Sequence, residues 1–224
     1  MFKISKAGVS FAAAGLLIAG VAGVGVTAAN ATPNVHLAAS SKIPAPVAAV
    51  PALFGGNTSV ALDSNFVAAL TSLGLTPSAE GTATLANGAI SFPITGGSVV
   101  YWNPKGSYKP YVQGILEHDG SGLNLTAGGK TVTLSNFTVN PGNSILYGDV
   151  AVNGAVAKTQ VDLFNLYGGT LKPLQIDGKN AILTGTTVHV SADAAGLLNS
   201  TFGTTAVKSQ LLVGTATITA QIQE

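Results

Sequence analysis

From about residue 89 onward the chain alternates. Apolar and polar positions follow each other with period two in Thr131-Val132-Thr133-Leu134 and again in Thr215-Ala216-Thr217-Ile218-Thr219. That is the pattern of a strand with one buried and one wet face. The same reading predicts strands over 89–94, 98–102, 111–118, 122–126, 130–139, 144–152, 155–164, 181–190 and 210–222. Turn residues separate them at Gly128-Gly129, Asn140-Pro141-Gly142-Asn143 and Asn153-Gly154, the last being the strongest hairpin signal in the chain. Pro93 lacks a ladder donor, so its strand, Ala89 to Ile94, is expected at an edge.

Two stretches keep helical spacing instead. Asp63 or Ser64 can cap a helix whose apolar face is Phe66, Leu70 and Leu73, with Gly74 as the stop. Ser191 can cap a second over 191–202, where Asp193 suits the positive N-terminal end and Ala194, Leu197, Leu198 and Phe202 form the stripe. Short strands at regular spacing with one helix near each end predict a mainly β protein. The expected architecture is a single antiparallel two-sheet sandwich or open barrel with two short helices.

Ahead of this domain the pattern is different. Lys3 and Lys6 precede an uncharged stretch from Ala7 to Ala29, and Ala29-Asn30-Ala31 fits a small-x-small cleavage site. Residues 1–31 therefore read as an export signal; a retained anchor is the alternative. Residues 32–59, rich in Ala, Pro and Ser, read as an extended linker, and 60–224 as the β domain. The mature protein is expected outside the cell or in the cell wall, with no membrane span after cleavage.

Composition narrows the chemistry. Charged residues make up 8% of the 224 residues, against about 25% in a typical domain. All ten basic residues are lysine, and the formal charge is +1. A near-neutral chain without arginine is poorly suited to nucleic acid. The absence of cysteine excludes disulfides, thiolate metal sites and thiol catalysis.

Candidate functional residues are few. Glu117-His118-Asp119 looks catalytic, but in a strand the two carboxylates share one face and His118 takes the other. Asp119-Gly120-Ser121-Gly122 reads as a turn. Tyr101, Trp102, Tyr108 and Tyr111 crowd around the loop Asn103 to Ser107, either as a binding edge or as a cross-strand cluster closing the end of the domain. A Tyr phenolate can also ligate haem iron. His189, alternating with Val188 and Val190, is expected at solvent or a sheet edge. No nucleophile elbow, Walker loop or dinucleotide fingerprint is present.

The segment from Gly114 to Leu125, with its Glu117-His118-Asp119-Gly120 centre, resembles the His-bearing segment of the heme-transport-associated (HtaA-type) domain of secreted and cell-surface actinobacterial proteins. Leu146 to Val150, Val161 to Leu166 and Val190 to Ala195 have looser counterparts, so the resemblance spans roughly residues 60–220. Phe92 to Gly97 is similar to a stretch in uncharacterised secreted relatives. The resemblance implies a two-sheet β domain that holds haem through a Tyr ligand, assisted by a Ser and a His, with His118 as that His. In the family the Tyr follows the Ser by four positions. Here Ser64 is present but Ala68 stands at the Tyr position, while Ser107 and Tyr111 repeat the spacing further along. Either Tyr111 takes the ligand role by another route or the domain has no haem site.

These readings favour a non-catalytic secreted or cell-envelope protein that binds a ligand or surface partner, with haem as the candidate ligand. Its expected edge is Trp102, Ser107, Tyr108, Tyr111 and His118. The alternatives are a structural or adhesive envelope protein without a small-molecule site, and a hydrolase pairing His118 with a distant Asp149 or Asp162.

Overall fold

A strand with one wet face must bury the other, and most of this chain solves that problem with a single antiparallel sheet. The computed structural model describes residues 43–222. The proposed export signal and the first part of the linker lie outside the described residues. The elements run β1 (Ala48–Val50), β2 (Gly55–Leu62), α1 (Ser64–Ser72), β3 (Thr76–Gly81), β4 (Thr84–Ala86), β5 (Ala89–Pro93), β6 (Gly96–Tyr101) and β7 (Val112–Ala127). They continue with β8 (Lys130–Asn140), β9 (Ile145–Val152), β10 (Ala155–Tyr167), β11 (Gln175–Asp177), β12 (Asn180–Val190), α2 (Ala192–Phe202) and β13 (Leu212–Gln221). The strand order is β1-β6-β7-β8-β9-β10-β12-β13-β2-β5-β4, with β11 on β12 and β3 on β7. The sheet curls into a half-barrel, in keeping with the mainly β, two-helix expectation.

The curl has a local cause. Strands β7, β8 and β10 each carry a residue with positive φ at mid-length: Gly120 (70°), Asn136 (51°) and Gln160 (47°). Register shifts accompany them, between His118 and Gly122 on β7 and between Ser135 and Thr138 on β8. Such bulges bend a strand and sharpen its twist. The bulges are tied together. Asn136 Oδ1 accepts from Gly120 N at 3.0 Å, and Asn136 Nδ2 donates to Asp149 Oδ2 at 2.9 Å. Gln160 N donates to Asp149 Oδ1 at 2.9 Å. This crease crosses four strands and divides the interior in two. The Asp119-to-Gly122 segment, expected as a turn between two strands, is a bulge inside one continuous strand.

Both helices form where the sequence places them. The Asp63 carboxylate caps α1 by accepting from Asn65 N, and Gly74 follows with φ 65°. Ser191 Oγ caps α2 by accepting from Ala194 N at 2.9 Å, and Gly203 closes it in the left-handed region. Phe66, Leu70, Ala194 and Leu198 pack from the helices onto Leu125, Leu134 and Val213 of the sheet.

Residues 43–59 are the main departure from the expected organisation. They hold β1 and most of β2, and β2 is a central strand between β13 and β5. Its sequence, Gly55-Gly56-Asn57-Thr58-Ser59, looks like linker because it is small and polar. The reason lies in the packing: a Cβ on Gly56 (φ 105°) would stand 2.0 Å from Thr219 O, so the close pairing with β13 requires glycine. Pro93 also sits differently from expectation. Its strand is covered by β4, but only over Ala89 to Ser91, so Pro93 itself lies beyond the reach of that neighbour.

Candidate functional site

His118 stands on β7 just before the bulge. Alternation turns Glu117 and Asp119 outward and His118 inward, where only 1% of its surface is exposed. Its Nδ1 lies 2.8 Å from Pro93 O and its Nε2 3.2 Å from Thr58 Oγ1. A carbonyl can only accept, so Nδ1 carries the proton, and the Nε2 lone pair accepts from the Thr58 hydroxyl. Burial pushes the His118 pKa below its usual value, against the opposing pull of the Pro93 and Phe92 backbone and the Asp119 charge. The ring is a neutral, fully partnered imidazole, with the Phe92 ring 6.3 Å away.

Above this pair lies a cavity of ≈ 450 Å³ inside the half-barrel, well within the size range of small-ligand pockets. Its walls are apolar. Strand β12 contributes Ala181, Leu183 and Val188, β13 contributes Ala216, Ile218 and Ala220, and β8 contributes Phe137 and Val139. The buried lining residues include Thr58, Val60, Phe92, Leu116 and His118, and this group around the polar pair is the floor. Besides Ala49 of β1, the exposed ones are Lys109, Pro110, Ser144, Gly168 and Ile176, which form the rim. Strand β1, within the expected linker, closes one side with Ala48, Ala49 and Val50.

Tyr111 stands half-buried near the rim. Its ring meets Tyr101 edge-on at 6.1 Å, and Lys109 Nζ lies 4.6 Å over its face. Burial, then the neighbouring Tyr101, raise the Tyr111 pKa, so its hydroxyl is a phenol in neutral solution. The other members of the expected edge do something else. Trp102 is buried and donates from Nε1 to Pro44 O at 2.9 Å, while Tyr108 packs against its ring at 4.8 Å. Together they hold the N-terminal arm. Ser107 is exposed in the loop. Of the five expected residues, the cavity lining brings together Tyr111 and His118 and leaves out Trp102, Ser107 and Tyr108.

Sequence reasoning missed Thr58 and Lys109 as partners of the site, and it named Tyr101 in the aromatic cluster but not in the expected edge. Thr58 carried no signal, because the strand that aims it inward reads as linker. Neither Asp149 nor Asp162 is a hydrogen-bond partner of His118: Asp149 is engaged in the crease, and Asp162 lies near α2. His189 is half-buried, with Nδ1 3.0 Å from Gln210 O and its ring edge-on to Tyr167. Among the described residues no group of three or more His, Cys, Asp or Glu is placed to hold a metal ion.

By sequence, the chain matches no family model and no curated protein. By structure, it superposes on the C-terminal domain of HtaA from Corynebacterium glutamicum with a TM-score of 0.54, covering 77% of this chain and 99% of that one. The fold is that of an HtaA domain. Sequence identity over the HtaA match is 11%, so the likeness speaks for the fold alone. The haem-binding protein HtaB from the same organism is also similar, at a TM-score of 0.44 and 12% identity over 76% of this chain and 94% of that one. In the HtaA-like fold of this chain, Ala68 is exposed on α1, away from the cavity that His118 lines.

Proposed function

We propose that this is a secreted or cell-envelope binding protein, without catalytic activity, whose half-barrel receives an apolar ligand. The observation that carries this reading is the cavity itself. It has continuous apolar walls, one polar pair at its floor and an open rim, whereas the other interior of the same sheet is filled by two helices. The export reading of residues 1–31 supports the location.

Haem is the ligand that the sequence resemblance names, and the donors here do not match it. The position of the family's Tyr is an exposed Ala68, Tyr111 is held as a phenol against Tyr101, and the His118 lone pair is taken by Thr58. The chemistry of the site is therefore desolvation and shape, supplied by aliphatic walls.

The test is a titration of the purified protein with an environment-sensitive apolar dye and, separately, with haemin. The dye is expected to bind saturably. Ala181→Trp, at a half-buried wall position, is expected to abolish that binding while cooperative unfolding is retained. Dye binding unchanged by Ala181→Trp would sink the reading and favour a structural or adhesive role. A saturable Soret shift lost in Tyr111→Phe would restore haem; a flat haemin titration is expected.

A further inference from the structure

The rim of the cavity differs in charge from the rest of the described surface. The two segments that bear most of it, 104–112 and 168–179, contain Lys105, Lys109, Lys172 and Lys179 against Asp177 alone. Every other acid of the described residues, Asp63, Glu80, Glu117, Asp119, Asp149, Asp162 and Asp193, belongs to another segment. The two segments meet at the mouth: a Cβ built on Gly168 would lie 3.2 Å from the Tyr111 hydroxyl. Among the described residues no Asp or Glu lines the cavity, and Lys109 does. Its ammonium is held at the rim by the Tyr111 face and by a bond to Pro104 O at 2.6 Å.

The floor has the opposite character. Thr58 and His118 satisfy each other, and the remaining ring proton goes to Pro93 O. A ligand end that reaches them meets no charge and no spare donor. An apolar end is accepted there at no cost in broken hydrogen bonds, whereas a charged end would be desolvated without a partner. The volume, ≈ 450 Å³, compares with the roughly 150 Å³ of a dry apolar cavity that takes up benzene. The site therefore has room for a longer hydrocarbon.

Resting on the reading of this cavity as a binding site, we propose that its ligand is a single-chain amphiphile with an anionic head. The chain lies along the β12 and β13 wall toward Thr58 and His118, and the head stays at the rim beside the Lys109 ammonium and the Tyr111 hydroxyl. A carboxylate and a phosphate monoester share this chemistry. Both are bound through a rim charge, so their affinity falls as salt rises.

The test is displacement of the bound dye from the purified protein by hexadecanoate, hexadecyl phosphate and hexadecanol. At least one anion is expected to bind more tightly than the alcohol by about tenfold at low salt, the difference of a close charge contact. The better of the two anions identifies the head. Lys109→Glu is expected to erase that preference by weakening the better anion far more than it changes hexadecanol, and Lys109→Gln to give a smaller loss of the same sign. Equal binding of alcohol and anions, insensitive to Lys109→Glu but lost in Ala181→Trp, would overturn the anionic head and keep the cavity. Dye and amphiphile signals unmoved by Ala181→Trp would overturn the cavity reading itself. Saturable haemin binding with a Soret shift would overturn the proposal in favour of haem.

Discussion

The curled sheet encloses two apolar interiors, and only one is filled. On one side of the crease, α1 and α2 lower Phe66, Leu70 and Leu198 onto Leu125, Leu134 and Val213, and the space left among them is ≈ 50 Å³. On the other side the same long strands β7, β8, β10, β12 and β13 face a cavity of ≈ 450 Å³ that no helix of the described residues enters. Both linings are mainly apolar, although the open one also carries Thr58, His118 and Lys109. The difference is whether the chain supplies its own filling. A protein interior is normally packed to crystal density, so an aliphatic wall that the described residues leave uncovered is what the proposed ligand site rests on.

The largest expected effect breaks this comparison directly. Leu134, 2% exposed in the filled interior, is expected to cost about 2–5 kcal/mol as Leu134→Ala. Leu183, half-buried on the cavity wall, already faces open space, and Leu183→Ala should cost under about 1 kcal/mol. Urea unfolding of the two variants measures both. Equal losses would mean that the two interiors are packed alike and that the cavity closes in solution.

Next comes the crease that separates them. Asn136→Ala removes the acceptor for Gly120 N and the donor to Asp149, and it places a β-carbon residue without a compensating side chain at φ 51°. The expected loss is about 1–3 kcal/mol, read by the same unfolding experiment. Asn136→Gly restores the backbone part and should recover roughly half of it. Dye binding should weaken along with stability, since the bend shapes the cavity; a destabilised variant with unchanged dye affinity would uncouple the two.

How much of this was legible in the sequence follows the same division. The alternating strands from Lys130 to Val152 and from Leu212 to Gln221, the Asn153-Gly154 hairpin and both capped helices could be read directly, because period and turn chemistry are local. The crease could not. A bulge is a register event between strands, and Asp119-Gly120-Ser121-Gly122 carries the same residues whether it ends a strand or bends one. Strand β2 was hidden for a related reason: Gly56 is there to let β13 approach, and a glycine selected by a distant neighbour looks like linker. Thr58, and with it the floor of the site, was lost with that strand. The aromatic cluster was visible as a cluster, but only the fold shows that Trp102 reaches back to Pro44 while Tyr111 faces the cavity.

His118 provides a pH-dependent test. Its pKa in the folded protein is lowered, chiefly by burial. Between that value and the ordinary histidine value near ~6.5, the unfolded chain binds a proton that the folded chain does not. The contribution to stability is therefore fully present above the ordinary value and is lost as pH falls through the folded one. Stability measured from neutral pH downward should decline over that window, and His118→Gln should flatten the decline. An unchanged slope in the variant would mean that other groups carry it.

The smallest effect concerns a flaw at the edge of the filled side. Asp162 on β10 supplies its backbone oxygen to Ser191, the cap of α2, but its Oδ1 is buried without a partner among the described residues. Burial, then the nearby Asp193, raise its pKa. A raised carboxyl works against folding once it ionises: the folded form holds the proton more tightly than the unfolded chain, so stability drains away as pH rises through that range. Asp162→Asn removes the charge and should stabilise the protein at neutral pH by about 0.5 kcal/mol. Asp193→Asn relieves the repulsion but leaves the desolvated carboxyl in place and gives up a favourable charge in the first turn of α2. It should therefore gain nothing. Equal stabilisation by the two variants in thermal unfolding would assign the strain to charge repulsion. The expected inequality assigns it to burial of a carboxyl oxygen that has no partner among the described residues.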